Sequence, residues 1–174
     1  MNRSFLLNAL FPVKGVGIIR RNDVGLIINE HSFYPLYIYP TTNSEQTSDQ
    51  PTERTPNLDQ KIVNEIAISL GLDFIPEKET GNLCFINNND ELRDDFKQTF
   101  APIDLLDYIY AVLHSPSYVG KLNKLEIDSL RVPYPEDAET FWQSVKLGAQ
   151  ICGIYQLESP KRAHTLSIDL MAGQ

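Results

Sequence analysis

Few side chains in this 174-residue chain stand at spacings that chemistry requires. His31, His114 and His164 lie far apart, and neither Cys84 nor Cys152 has a partner at zinc-ligand spacing. Cys152 falls on the apolar stripe of a helical stretch, the setting of a packed thiol rather than an activated one. Ser115 follows His114, but adjacent residues at a helix end do not form a catalytic triad, and capping accounts for the serine. The same position near a helix C-terminus favours a protonated His114. Asp104 and Asp107 share a helical face and would suit paired-carboxylate work, yet the first two turns of a helix fit solvated side chains better. Gly15-Val16-Gly17 lacks the third glycine of a dinucleotide fingerprint, since position 20 is Arg, and it precedes strand-like residues where that fingerprint opens a helix. There is no Pro-Pro-aromatic tetrapeptide to hold a flipped base, no Walker loop and no nuclease carboxylate–Lys cluster. The expectation is a chain with no catalytic residue, no metal and no cofactor of its own.

Candidates for contact with nucleic acid are more numerous. Arg20 and Arg21 stand at the tip of an expected hairpin, where they reach phosphates or a guanine edge, or simply form a solvated turn. Tyr34, Tyr37 and Tyr39 alternate along a strand and would either stack on bases or pack a core. Arg131 sits in extended, proline-framed backbone, either exposed or paired with a carboxylate. Arg20, Arg21, Arg131 and Tyr37 are therefore the DNA-contact candidates.

These residues are carried by three β-like runs and four helices, one of them short. Val16–Arg20 and Val24–Asn29 are split by Arg21-Asn22-Asp23, a plausible turn. Phe33–Tyr39 follows, with Pro35 marking an edge strand or its first residues. Residues 41–56 are polar and read as a mobile loop. Asn57 as N-cap and Gln60 at the capping-box position start a helix with Leu58, Ile62, Ile66 and Leu70 on one face, and Gly71 ends it. A second helix has Pro102 in its first turn, Asp104 at its positive end and Ile103, Leu106, Tyr110 and Leu113 as its core stripe. His114-Ser115-Pro116 stops it, and a short helix follows to about Leu122. Pro133 and Pro135 hold 127–135 extended. Ala138 to Leu157 is the last helix, with Phe141, Val145, Gly148, Cys152 and Tyr155 recurring on one side. Residues 161–174 form a tail. The expected class is α+β, a single domain with a small N-terminal antiparallel sheet over residues 1–40 and a mainly helical, bundle-like part over 57–160.

Composition bounds the partners. Apolar residues make up 42% and charged residues 22%, ordinary for a soluble globular domain. Two cysteines fit a reducing, cytoplasmic compartment. The apolar run in Met1–Pro12 is interrupted by Asn8 and lacks a cleavage site, so it does not read as a signal peptide, and no run is long enough to cross a membrane. The formal net charge is −8. It is uneven: four basic against two acidic side chains in 1–40, five against twelve in 41–100, and six against nine in 101–174. Duplex binding by this chain alone is expected to be weak, because neutralised phosphates supply most of such affinity.

Five blocks carry a family resemblance: FYPLYIYP at 33–40, PNLDQKIVNEIAISLGL at 56–72, FAPIDLLDYIYAVLHSPSY at 100–118, IDSLRVPYP at 127–135, and FWQSVKLGAQICGIYQLESP at 141–160. In this order they resemble the C-terminal specificity region of Type ISP restriction-modification enzymes and related fused adenine-DNA methyltransferases. FPVKGVGIIRRND at 11–23 is similar to the segment just after the methyltransferase core. The resemblance implies the target-recognition end of such an enzyme, with double-stranded DNA as partner and a methyltransferase and nuclease module in cis or trans. S-adenosylmethionine would belong to that module. No catalytic residue carries over. The family's long variable stretch before the Pro-Leu-Tyr-x-Tyr-Pro block is only a handful of residues here. The alternatives are a scaffold that docks on a methyltransferase core without reading bases, or a degenerate remnant.

Overall fold

Pro102 opens a helix that has almost no outward face. Of the twelve residues of that helix, ten are buried, so it must be enclosed on all sides by other elements. The computed structural model describes residues 3–13, 25–29, 32–39, 54–76, 98–118, 130–158 and 165–167. In chain order its elements are β1 (Ser4–Leu6), α1 (Leu7–Leu10), β2 (Gly25–Asn29), β3 (Ser32–Pro35), β4 (Tyr37–Ile38), β5 (Thr55–Pro56), α2 (Gln60–Leu70), β6 (Asp73–Phe74), β7 (Thr99–Phe100), the central α3 (Pro102–Leu113), β8 (Arg131–Pro133), α4 (Ala138–Glu158) and β9 (Thr165–Ser167). Residues 116–118 add a helical turn after α3. The α+β class is the observed one. Among the described residues, no helix is long and apolar enough to cross a membrane.

The expected α3 start is in place, with Pro102 in the first turn and the Asp104 carboxylate accepting from the Ala101 N–H at 2.8 Å. Asp104 is fully buried and Asp107 nearly so, which corrects the expectation that both are solvated. The capping bond offsets the cost of taking the Asp104 carboxylate out of water. Helix α4 lies against α3 so closely that a Cβ on Gly148 would stand 2.0 Å from the Asp107 carbonyl oxygen. Glycine is required there by space. Around this crossing Phe100, Tyr108 and Trp142 each pack on Phe141, at ring-centroid distances of 5.8, 5.4 and 5.0 Å. Phe74 extends the cluster through Phe100. The pairs meet tilted or edge to face, as aromatic quadrupoles favour. Asp137 caps α4, accepting from the Thr140 N–H and hydroxyl, and these bonds hold its carboxyl below the usual carboxylate range.

Residues of β1, α1 and the position after them belong to the core. Phe5, Leu7, Leu10 and Phe11 are all buried, and β1 pairs antiparallel with β8 in the register Ser4↔Pro133, Phe5↔Val132 and Leu6↔Arg131. The expected single strand over Phe33–Tyr39 is broken at Leu36 into β3 and β4, which belong to different sheets. β3 is an edge strand, where Pro35 is tolerated. It pairs antiparallel with β2, as expected of the N-terminal sheet, and the tail adds β9 in parallel along the other edge of β2. The expected strand 16–20 and its turn at 21–23 lie outside the described residues, as do the second half of the helix after Pro116 and most of the 41–56 loop.

Asn57 does not cap α2. That role falls to Asp59, whose carboxylate accepts from the Ile62 N–H at 3.0 Å, while Gln60 reaches Asn64 instead of closing a capping box. Gly71 ends the helix in the left-handed conformation, φ 66°, as its position predicts. Val63 joins Ile66 and Leu70 as the buried stripe, with Leu58 and Ile62 partly covered. Asn57, 1% exposed, joins three segments instead. Its Oδ1 accepts from the Val13 N–H at 2.9 Å, and its Nδ2 donates to the Val13 and Pro35 carbonyls at 2.7 and 2.8 Å. Its own N–H donates to the Leu36 carbonyl at 2.8 Å.

Two substitutions test this packing. Gly148→Ala should lower unfolding stability by about 2 kcal/mol in urea titration, even though alanine favours a helix by about 1 kcal/mol, because the obstacle is backbone. Asn57→Ala strands a buried N–H and two carbonyls and should cost about 3 kcal/mol. Wild-type midpoints for both would refute the contacts described.

Candidate functional site

β8 brings the one described member of the arginine candidates to the surface. Leu130 and Val132 point into the core and Arg131 points out. Toward β1, the Leu130 carbonyl accepts from the Leu7 N–H and the Tyr134 N–H donates to the Arg3 carbonyl. The carbonyls of Arg131 and Pro133 therefore face the opposite edge. Two tyrosines occupy them: the Tyr118 hydroxyl donates to Arg131 and the Tyr108 hydroxyl to Pro133, the latter at 3.0 Å. A three-residue strand is thus held by main chain on one side and by phenols on the other. Burial pushes both phenols above their ordinary range, helped at Tyr108 by Tyr118 and Glu136. They remain donors throughout the physiological range. Arg131 stands on fixed backbone.

Tyr37 is placed otherwise. It is only 6% exposed, and the Arg54 guanidinium lies 4.0 Å from its ring centroid. The ring carries a cation and belongs to the core, so it does not offer an open face for stacking. Tyr34 is also core, packed on Phe11, while Tyr39 is 49% exposed. Arg20 and Arg21 lie outside the described residues. Arg54 had no signal in its local sequence, because its partner lies across a ladder that pairs Tyr37 with Pro56 and Ile38 with Thr55.

The residues whose types suggested chemistry have structural work instead. Ser115 donates to the Val112 carbonyl at 2.7 Å and lies 3.1 Å from the Ser117 hydroxyl. His114 is the C-cap of α3, and its Nδ1 lies 2.9 Å from the Tyr110 carbonyl, where it must carry the hydrogen. Cys152 is buried in the core. Among the described residues, no three His, Cys, Asp or Glu side chains converge to hold a metal ion. What the surface offers is an arginine on a braced strand, which can donate to a phosphate or a base edge but cannot transfer a group.

A second contact, missed in the sequence, braces the same corner. Arg3 bonds the Glu65 carboxylate at 2.8 Å and lies 5.0 Å from the Tyr134 ring centroid. The Tyr134 hydroxyl donates to the same carboxylate oxygen at 2.9 Å. Ser69 adds a bond to the Pro135 carbonyl, so α2 holds the segment leaving β8 at two points.

The model of the Type ISP C-terminal specificity domain matches residues 19–168. The chain belongs to that family. No curated protein and no solved structure matches it. Membership places it among the target-recognition parts of restriction-modification enzymes, and a specificity domain is non-catalytic by itself. The matched span opens after β1 and α1, yet this specificity domain buries Phe5, Leu7, Leu10 and Phe11 in one cluster with α3 and α4. Arg131 and both of its tyrosine braces lie inside the matched span.

Tyr134 makes the corner sensitive to alkali. Burial, then its bond to Glu65 and the charge of that carboxylate, push the phenol from 10.0 up to about 12. An acid whose folded value is raised contributes stability that is full below the unfolded value and is lost as pH rises through the folded one. The urea midpoint of the specificity domain should therefore fall between about pH 10 and 12, and less steeply in Tyr134→Phe. Equal slopes for the two proteins would contradict the bond to Glu65.

Proposed function

We propose that this chain recognises target DNA for a restriction-modification enzyme, with methyltransferase and nuclease chemistry supplied by a module joined to it. S-adenosylmethionine would be held by that module. The observation that carries the reading is the family match over residues 19–168, within which Arg131 is displayed on a strand fixed along both edges. Fixed backbone lowers the cost of ordering an arginine against DNA, and a guanidinium suits a phosphate or a guanine edge. The chain's net charge of −8 makes the grip of this part alone weak. Firm attachment then depends on positive charge elsewhere in the enzyme, while selection depends on a few contacts here. Arg131 is the first of these, and Arg20 and Arg21 are proposed to join it.

The test is the affinity of the full chain for a DNA duplex as a function of salt. Affinity should fall as salt rises, and Arg131→Ala should reduce the slope of log affinity against log salt by about one if the contact is to a phosphate. If the contact is to a base edge, the loss should instead be confined to particular sequences. An Arg131→Ala protein that binds every duplex as the wild type does would remove Arg131 from the interface. A wild-type chain with no measurable duplex affinity at low salt would overturn DNA recognition by this chain.

A further inference from the structure

The ribbon of β4 and β5 carries a second surface that fits the same ligand. Its register pairs Tyr37 with Pro56 and Ile38 with Thr55, and continuing that register sets Tyr39 across from Arg54. Tyr37, Tyr39 and Arg54 therefore belong to one face, and Ile38 and Thr55 to the other. On that face the inner ring, Tyr37, is buried with the Arg54 guanidinium 4.0 Å from its centroid, and the outer ring, Tyr39, is 49% exposed. Arg54 itself is only partly covered. A guanidinium lying over an aromatic ring has lost much of its rotamer freedom, so ordering it against a ligand costs little more.

We propose that Arg54 and Tyr39 form a DNA-contacting pair, the guanidinium donating to a phosphate or a guanine edge and the phenol ring packing against an adjacent sugar or base. The inference rests on the reading of this chain as a DNA-recognition domain and adds to it two residues separate from Arg131. Three observations combine to carry it. The arginine is held by an aromatic contact, a large ring on the same face is half exposed, and both residues flank the paired ribbon of β4 and β5. An interleaved basic and aromatic surface is what a nucleic-acid strand takes up, since phosphates need the cation and every sugar or base offers a face to the ring. The pair also explains the fate of Tyr37, whose ring supports the arginine rather than meeting the ligand.

The experiment is duplex binding by the full chain across a salt series, for wild type, Arg54→Ala, Arg54→Lys, Tyr39→Ala and Tyr39→Phe, with each variant's thermal melting recorded. Arg54→Ala should weaken binding by about tenfold and lower the salt slope by about one. Tyr39→Ala should weaken binding several-fold with the slope kept, and Tyr39→Phe should bind as the wild type. Recovery in Arg54→Lys would mark a phosphate contact, and continued loss would mark a planar contact to a base; each supports the pair. Tyr39 is exposed, so its alanine variant tests the surface even if Arg54→Ala melts early. Wild-type affinity and slope in Arg54→Ala and Tyr39→Ala, against a wild type that does bind, would overturn this inference and leave DNA recognition standing. Absence of any duplex binding by the wild type would overturn both.

Discussion

The backbone contact between α3 and α4 at Gly148 is the constraint from which the remaining arrangement follows. Because no side chain separates the helices there, Phe141 and Trp142 reach the aromatic cluster at Phe100 and Tyr108. α3 is then enclosed and cannot shift without breaking a packed core. Its fixed position sets Tyr108 and, one turn beyond its end, Tyr118 beside β8. The two phenols hold the outer edge of that strand while β1 holds the inner one. The display of Arg131 is thus set by a helix crossing in which Arg131 takes no part.

Polar groups inside this fold serve the same purpose. Asn57 uses both amide protons and its oxygen to join its own segment to those around Val13 and Pro35. Asp104 closes the first turn of α3. Ser115 and His114 finish its last turn, and Glu65 collects Arg3 and Tyr134. Side chains that would carry acid, base or nucleophilic chemistry elsewhere are used here to fix backbone. A domain organised in this way supplies position and shape, which is the property a specificity domain needs.

Much of the helical part was legible because helices announce themselves locally. The stripe from Phe141 to Cys152, Pro102 at the start of α3 and Gly71 at the end of α2 each follow from period or from a single allowed conformation. The cap of α2 was misread because Asn57 and Asp59 are both good caps, and only the tertiary bonds of Asn57 separate them. The buried state of Asp104 and Asp107 depends on α4 lying over α3, which no local pattern records. β1 and β9 are three residues each and are defined by partners far away in the chain, so neither has a period of its own. Among the site residues, proline-framed backbone correctly pointed to Arg131 as extended. The role of Tyr37 could not be read, since alternation does not say which face of a strand meets the core, and its partner Arg54 stands beyond a polar stretch.

Selection of DNA sequence by this chain, with the chemistry supplied by a joined module, is the proposal to which the display of Arg131 leads. The most direct measurement is enrichment from a random-sequence duplex library by the purified chain, followed by sequencing of the bound fraction. Convergence on one short sequence, with the recovered duplexes chemically unchanged, is the expected result. A bound fraction with the composition of the input library, or duplexes methylated or cut by the chain itself, would contradict it.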